Sequence, residues 1–184
     1  MRIISGKYKG RLIRPPGNLP VRPTTDFAKT GLFNILDSKF ELESYDCLDL
    51  FSGTGSISLE LASRGCKHIT SIDMDQKCVV FLRKTADELG ISNLVVHRSD
   101  SLLFLKRTPL HFNLVFADPP FDSKLHEALH KLLFENKILK PGGVFIMEHS
   151  SRESFETLSG FSYSRKYGNV TFSFFINLES PSNN

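Results

Sequence analysis

From Tyr45 to Glu148 the sequence repeats one unit, a short apolar run followed by an amphipathic stretch, and this alternation limits the fold more than any other feature. Residues 47–51, 68–72, 94–97, 112–117 and 144–148 have the length and residue types of buried strands. Between them, residues 56–64, 76–89, 101–106 and 125–134 carry helical periodicity, and a short helix is expected from Arg152. Alternation at this spacing predicts an α/β fold with a parallel, doubly wound sheet. It stops after Gly160. Residues 161–167 and 170–177 face each other across Gly168-Asn169 as a β-hairpin, which turns the last strand antiparallel to its neighbours.

Open α/β sheets keep their chemistry at the carboxyl ends of the strands. Asp118-Pro119-Pro120-Phe121 stands at one such end, after the run Phe112-Asn113-Leu114-Val115-Phe116-Ala117. Two prolines stop helix and strand and remove two N–H donors, and Phe121 adds a flat apolar face. An acid, a fixed carbonyl and a ring suit a planar amine, although a plain polar turn would use the same residues. Asp49-Leu50-Phe51-Ser52-Gly53-Thr54-Gly55-Ser56 joins the first strand to the next helix, where Gly53 and Gly55 permit a tight turn and close ligand approach. Asp73 ends the second strand, at the position from which an acid grips ribose hydroxyls, and Asp100 follows the third, within reach of an adenine amino group. The lesser alternative for Asp75 and Asp100 is that they only cap helices. Ser58 stands where a dinucleotide site wants its third glycine. The acids favour S-adenosylmethionine, which carries no phosphate and whose ammonium Asp49 would attract.

The charge is uneven. Through residue 30, Arg2, Lys7, Lys9, Arg11, Arg14, Arg22 and Lys29 stand against Asp26 alone, giving +6; the net charge of +3 leaves −3 for the rest. Residues 2–5 and 9–13 are expected to pair as a basic hairpin arm, followed by a loop around Pro15, Pro16, Gly17 and Pro20. Such an arm suits a polyanion, or merely protects a sheet edge. Thr24 or Thr25 then caps a helix to Lys39 whose apolar face is expected to use Phe27, Leu32, Phe33, Ile35 and Leu36. The domain organisation that follows is a basic arm and helix at 1–44, an α/β domain at 45–178 and a polar tail at 179–184.

Taken together, DLFSGTGSISLELASRG, SIDMDQK, VFADPPF and the opening RIISGKYKGR…VRPTTDFAKTGLFNIL resemble the RsmD family of bacterial 16S ribosomal RNA guanine-N2 methyltransferases, over residues 2–148. The resemblance implies a Rossmann-like, class I methyltransferase fold with a seven-stranded sheet, S-adenosylmethionine as methyl donor, and a guanine of 16S rRNA, free or in a partly assembled small subunit, as target. It assigns the glycine motif to Asp49, Gly53 and Gly55, the ribose acid to Asp73, the adenine side to Asp100 and catalysis to Asp118, Pro119, Pro120 and Phe121. Arg2, Lys7, Lys9, Arg11, Arg14 and Arg22 become the expected RNA contacts. Where the family commonly shows Arg-x-Arg-Glu after Thr-Thr-Asp, this chain has Phe27, Lys29 and Thr30, which leaves the helix-face contacts open. Other planar nitrogens, DNA adenine or a protein glutamine, would suit the same motif. A non-catalytic RNA-binding or assembly protein is the further alternative.

Other signals point elsewhere. His126-Glu127-Ala128-Leu129-His130 matches HExxH, but Leu125, Leu129, Leu132 and Leu133 form its apolar face, the histidines fall toward the flanks and no third ligand follows, so no metal is expected. Cys47, Cys66 and Cys78 contain no CxxC and read as buried thiols. No apolar run reaches bilayer length and no secretory signal opens the chain, so a cytoplasmic protein without a membrane association, monomeric, is expected.

Overall fold

The structure, a computed structural model, describes residues 1–17, 19, 25–120 and 124–179. Helix α1 (Asp26–Lys39) starts at Thr25, whose hydroxyl accepts from the Ala28 amide at 3.2 Å. After a 3-10 turn (Leu42–Ser44) come β1 (Asp46–Leu50), α2 (Ser56–Ser63), β2 (His68–Asp73), α3 (Gln76–Leu89), β3 (Leu94–Arg98), α4 (Ser101–Arg107), β4 (Phe112–Ala117), α5 (Leu125–Glu135), β5 (Leu139–Ser150), β6 (Phe161–Tyr167) and β7 (Val170–Ile176). The seven strands form one sheet in the order β3-β2-β1-β4-β5-β7-β6. Strands β1 to β5 run parallel, and β7 lies antiparallel to both β5 and β6. The α/β fold expected from the alternation, with its antiparallel last strand, is the fold observed.

Alternation along each strand divides the core. Cys47, Leu114 and Phe116 point to the side packed by α1, α2 and α3, whereas Leu48, Leu50, Val115 and Ala117 point to the side packed by α4 and α5. Strand order reverses between β1 and β4, and there the register pairs Asp49 with Phe116 and Leu50 with Ala117. The carboxyl ends of both strands therefore open into one crevice, the topological switch point.

Four local expectations are corrected. The arm holds a single antiparallel bridge, Arg2 to Leu12, rather than two strands, because residues 5–10 turn too tightly to extend the ladder. Residues 152–160 form turns and no helix; Gly160 sits at positive φ and its carbonyl accepts from Ile176 N instead. Lys140-Pro141-Gly142-Gly143, whose proline and glycines read from the sequence as a turn before the fifth strand, lies inside β5 as an irregular stretch with a register shift on β4. Both histidines of the HExxH stretch are buried rather than flanking: His126 stacks on Phe155 at 5.0 Å, and His130 meets the Ser159 carbonyl at 2.8 Å. Cys47, Cys66 and Cys78 are free and buried, as read from the sequence. Among the described residues no helix is long and apolar enough to cross a membrane. Of the tail at 179–184, only Glu179 lies within the described residues.

Candidate active site

A cavity of about 1100 Å³ occupies the switch point. Asp49, Asp73, Asp75, Asp100, Asp118 and Glu148 line it, and among the described residues no Lys, Arg or His does. The glycine turn shapes one wall. Gly53 donates its amide to Asp73 Oδ2 at 2.7 Å while Asp75 N donates to Oδ1 at 2.8 Å. The Asp73 carboxylate is thereby fixed by two backbone amides, and each oxygen keeps a lone pair for a hydroxyl. Phe51, also on the wall, is held at φ 64, a left-handed conformation that costs a non-glycine residue about 1–2 kcal/mol. Gly55 does not line the cavity. It begins α2 at φ 79, and a Cβ there would lie 2.2 Å from Leu82 Cδ1, so its smallness serves the packing of α2 on α3.

Asp49 is buried, and its Oδ2 accepts from the Ser58 amide at 3.1 Å and from the Ser58 hydroxyl, which also meets Ser71 Oγ at 2.6 Å. Burial pushes its carboxyl up to about 7; the Ser58 bonds oppose the rise, and the charges of Asp73 and Asp118 add to it. Burial likewise lifts half-buried Asp118 to about 7. Asp118, Pro119 and Pro120 all line the cavity; Phe121 lies outside the described residues. Asp100 and Asp75 also line it, and both are helix caps as well: Asp100 accepts from Leu103 N at 2.8 Å, Asp75 from Lys77 N at 2.7 Å. Glu148, which ends the fifth strand and reads from the sequence either as a site residue or as a plain strand-end acid, is buried and lines the cavity. Six acids, with no basic side chain beside them among the described residues, would repel a pyrophosphate. They fit a ligand with a cationic centre and ribose hydroxyls.

The basic arm is anchored by its backbone. Ile4 N and Ser5 N donate to Glu60 Oε2 and Oε1 at 2.8 and 3.0 Å, and Lys7 N and Tyr8 N to Ser63 O and Oγ at 2.7 and 2.9 Å. Gly6, at φ 78, is required, since a Cβ would fall 1.8 Å from Ser63 O. Every residue of α2 is buried, because sheet and arm cover it from opposite sides. Arg2, Lys7, Lys9, Arg11 and Arg14 are exposed; Arg22 lies outside the described residues. Lys29 is not on the surface at all. It is 1% exposed, donates to Arg2 O at 2.7 Å and stands 3.6 Å from Glu60, with burial pulling its ammonium down against the Glu60 charge. Phe27 departs from expectation the other way: it is 70% exposed and lines the cavity mouth. Tyr167 and Asn169 of the β6–β7 turn reach the same cavity, and no sequence signal had pointed to them. For Lys29 a signal existed, since Leu32 and Phe33 follow it at i+3 and i+4 on one helical face.

Comparison with known proteins agrees with this geometry. The model of the family described as Conserved hypothetical protein 95 matches residues 1–176. A Haemophilus influenzae protein named ribosomal RNA small subunit methyltransferase D is 37% identical over 80% of this chain and 78% of its own length. A solved Escherichia coli structure, described as a candidate methyltransferase, is 28% identical with a TM-score of 0.87, covering 98% of this chain and 99% of that one. A Salinibacter ruber RNA methyltransferase solved with S-adenosyl-L-homocysteine shares the fold at 18% identity and a TM-score of 0.67, over 89% of this chain and 98% of that one.

Proposed function

The chain belongs to the family described as Conserved hypothetical protein 95, the RsmD family, and from that premise we propose that it methylates the exocyclic N2 amine of a guanine in small-subunit (16S) ribosomal RNA, with S-adenosylmethionine as donor. The observation that carries the reading is the meeting of Asp118-Pro119-Pro120 with the Gly53 turn and Asp73 in one acid-lined cavity. The name of the Haemophilus influenzae relative supports the substrate class. The guanine and its N2 amine rest on the resemblance of the Asp-Pro-Pro-Phe motif.

Asp73 would hold the ribose hydroxyls of the donor, Asp100 its adenine amino group, and Asp49 the charge of its ammonium. Bound there, S-adenosylmethionine supplies an electrophilic methyl group whose carbon–sulfur bond breaks as the carbon–nitrogen bond forms. A guanine amine is a poor nucleophile because its lone pair is delocalised into the ring. The Asp118 carboxylate and the Pro119 carbonyl accept its two hydrogens and draw the nitrogen toward pyramidal geometry. Prolines at 119 and 120 leave the turn rich in acceptors and free of competing N–H donors. Positioning of this kind lowers a barrier by about 7–11 kcal/mol. The proton that the methylated nitrogen sheds passes to Asp118, whose pKa of about 7 suits a base at neutral pH, or to water. Phe121 is assigned the stacking face for the extruded base.

The test is transfer of labelled methyl to deproteinised 16S rRNA and to assembled small subunits, followed by mapping of the modified nucleotide. One guanine carrying label at N2 is expected. Label on DNA adenine or protein glutamine with none in RNA would overturn the substrate, and no binding of S-adenosylmethionine would overturn the enzyme.

A further inference from the structure

The mouth of the cavity carries an aromatic pair that the chemistry above leaves unused. Phe27, in the first turn of α1, stands edge-on to Tyr167 of β6, with ring centroids 5.8 Å apart and planes at 76°. Gly31, one helical turn on, makes this possible: a Cβ there would lie 2.1 Å from Tyr167 Cε1. Helix α1 thus omits a side chain to seat Tyr167, and Tyr167 braces Phe27 while leaving that ring 70% exposed. A scattered exposed apolar residue needs no explanation. This one is braced by a second ring and borders the cavity that holds Asp118.

Cations continue the line. Alternation along β6 places Tyr163, Arg165 and Tyr167 on the α1 side of the sheet, with Tyr163 and Tyr167 packed against the core there. The Arg165 guanidinium lies 5.0 Å and the Lys39 ammonium 4.1 Å from the Tyr163 ring centroid. Rings and cations therefore alternate for about 13 Å along the edge strand, away from the cavity mouth. Single-stranded nucleic acid binds to such a surface, with bases on the rings and phosphates on the cations.

We propose that Phe27, braced by Tyr167, is a stacking platform for the unpaired nucleobase adjacent to the target base, and that Arg165 and Lys39 receive the phosphates of the same strand. This rests on the RNA-methylating reading and adds to it a second contact point, on the side of the cavity formed by α1 and β6.

A single-stranded RNA oligonucleotide with 2-aminopurine beside a guanine tests the platform directly. Binding to the unaltered protein should change its fluorescence. Phe27→Ala should weaken binding roughly 5- to 150-fold, the range for losing one base–aromatic stack. It should raise KM for small-subunit RNA, leaving kcat and the affinity for S-adenosylmethionine unchanged, and Phe27→Trp should restore both binding and KM. Circular dichroism melts should be unchanged, since the ring is exposed. Wild-type binding, fluorescence and KM in Phe27→Ala would overturn the platform while leaving methylation standing. An unaltered protein that binds the oligonucleotide in a Phe27-dependent way but transfers no methyl to any RNA would overturn methylation and leave the platform standing.

Discussion

Two carboxylates, Glu60 on α2 and Asp49 on β1, are equally buried and meet opposite fates. Glu60, 0% exposed, accepts from Ile4 N, Ser5 N and Arg64 Nε and faces Lys29. Asp49, 1% exposed, takes its hydrogen bonds from Ser58 alone among the described residues, and the charges around it are other acids. The first is compensated from every side and clips the arm to the domain. The second is left short of positive charge, and burial raises its pKa to about 7. A buried charge with all its partners is scaffold; one without them waits for a ligand that brings the missing charge.

The comparison breaks most visibly at Glu60. Glu60→Ala strands a buried ammonium and two amides, and should cost about 3–5 kcal/mol in urea unfolding, with the arm becoming open to proteolysis. Asp49→Asn removes a charge already poorly accommodated and should cost far less; a greater loss for it than for Glu60→Ala would sink the distinction. Asp118→Ala should lower methyl transfer by at least about 10²-fold, because the amine loses an acceptor that aims it. Its affinity for S-adenosylmethionine should stay within a few-fold and its unfolding midpoint should not fall, since burial opposes the Asp118 charge. Wild-type turnover in that variant would remove Asp118 from the chemistry.

The scaffold side of this comparison was the less legible in sequence. Local signals placed the parallel strands because each is a short, largely apolar run beside a turn, and they placed the acids because strand ends are marked by Gly and Asp. The Glu60 clip depends on contacts across more than fifty residues, between the arm and α2, and no local pattern marks it. Lys29 was counted only as one of the basic residues of the first thirty, although its spacing to Leu32 and Phe33 put it on the apolar face. Phe27 was assigned to that face by type, and helix geometry turned it to the mouth instead. Pairing of the arm as two strands is cut short for a related reason: Ile3, Gly10 and Ile13 bond across the arm, but the amides of Ile4, Ser5, Lys7 and Tyr8 are taken by Glu60 and Ser63.

The undercompensated acids also predict a proton linkage. A carboxyl whose folded pKa is raised from 3.8 to about 7 keeps a proton that the unfolded chain has released, so its contribution to stability is present at low pH and is lost as pH rises from about 4 to about 7. Asp49→Asn should flatten that part of the profile. Binding of a cationic ligand draws the same pKa down, so S-adenosylmethionine binding at pH 6 should release a substantial fraction of a proton. Calorimetry in buffers of different ionisation enthalpy reads this directly, and equal apparent enthalpies in all buffers would contradict it. Transfer rates should rise with pH and level off above about 7, as Asp118 becomes able to accept.

The smallest effect belongs to the arm, and it separates backbone from side chains within one segment. The backbone of residues 4–8 is held by Glu60 and Ser63, while the Lys7, Lys9 and Arg11 side chains project into solvent. Replacing those three by Gln should therefore leave stability within about 0.5 kcal/mol. If each neutralises an RNA phosphate, the slope of log affinity against log salt should become less steep by roughly 0.7–0.9 per residue replaced. Transfer at saturating RNA should be unchanged, because none of these three cations lines the cavity. An unaltered slope would show that the arm's charges serve solubility, and that α2 is covered for the sake of the core alone.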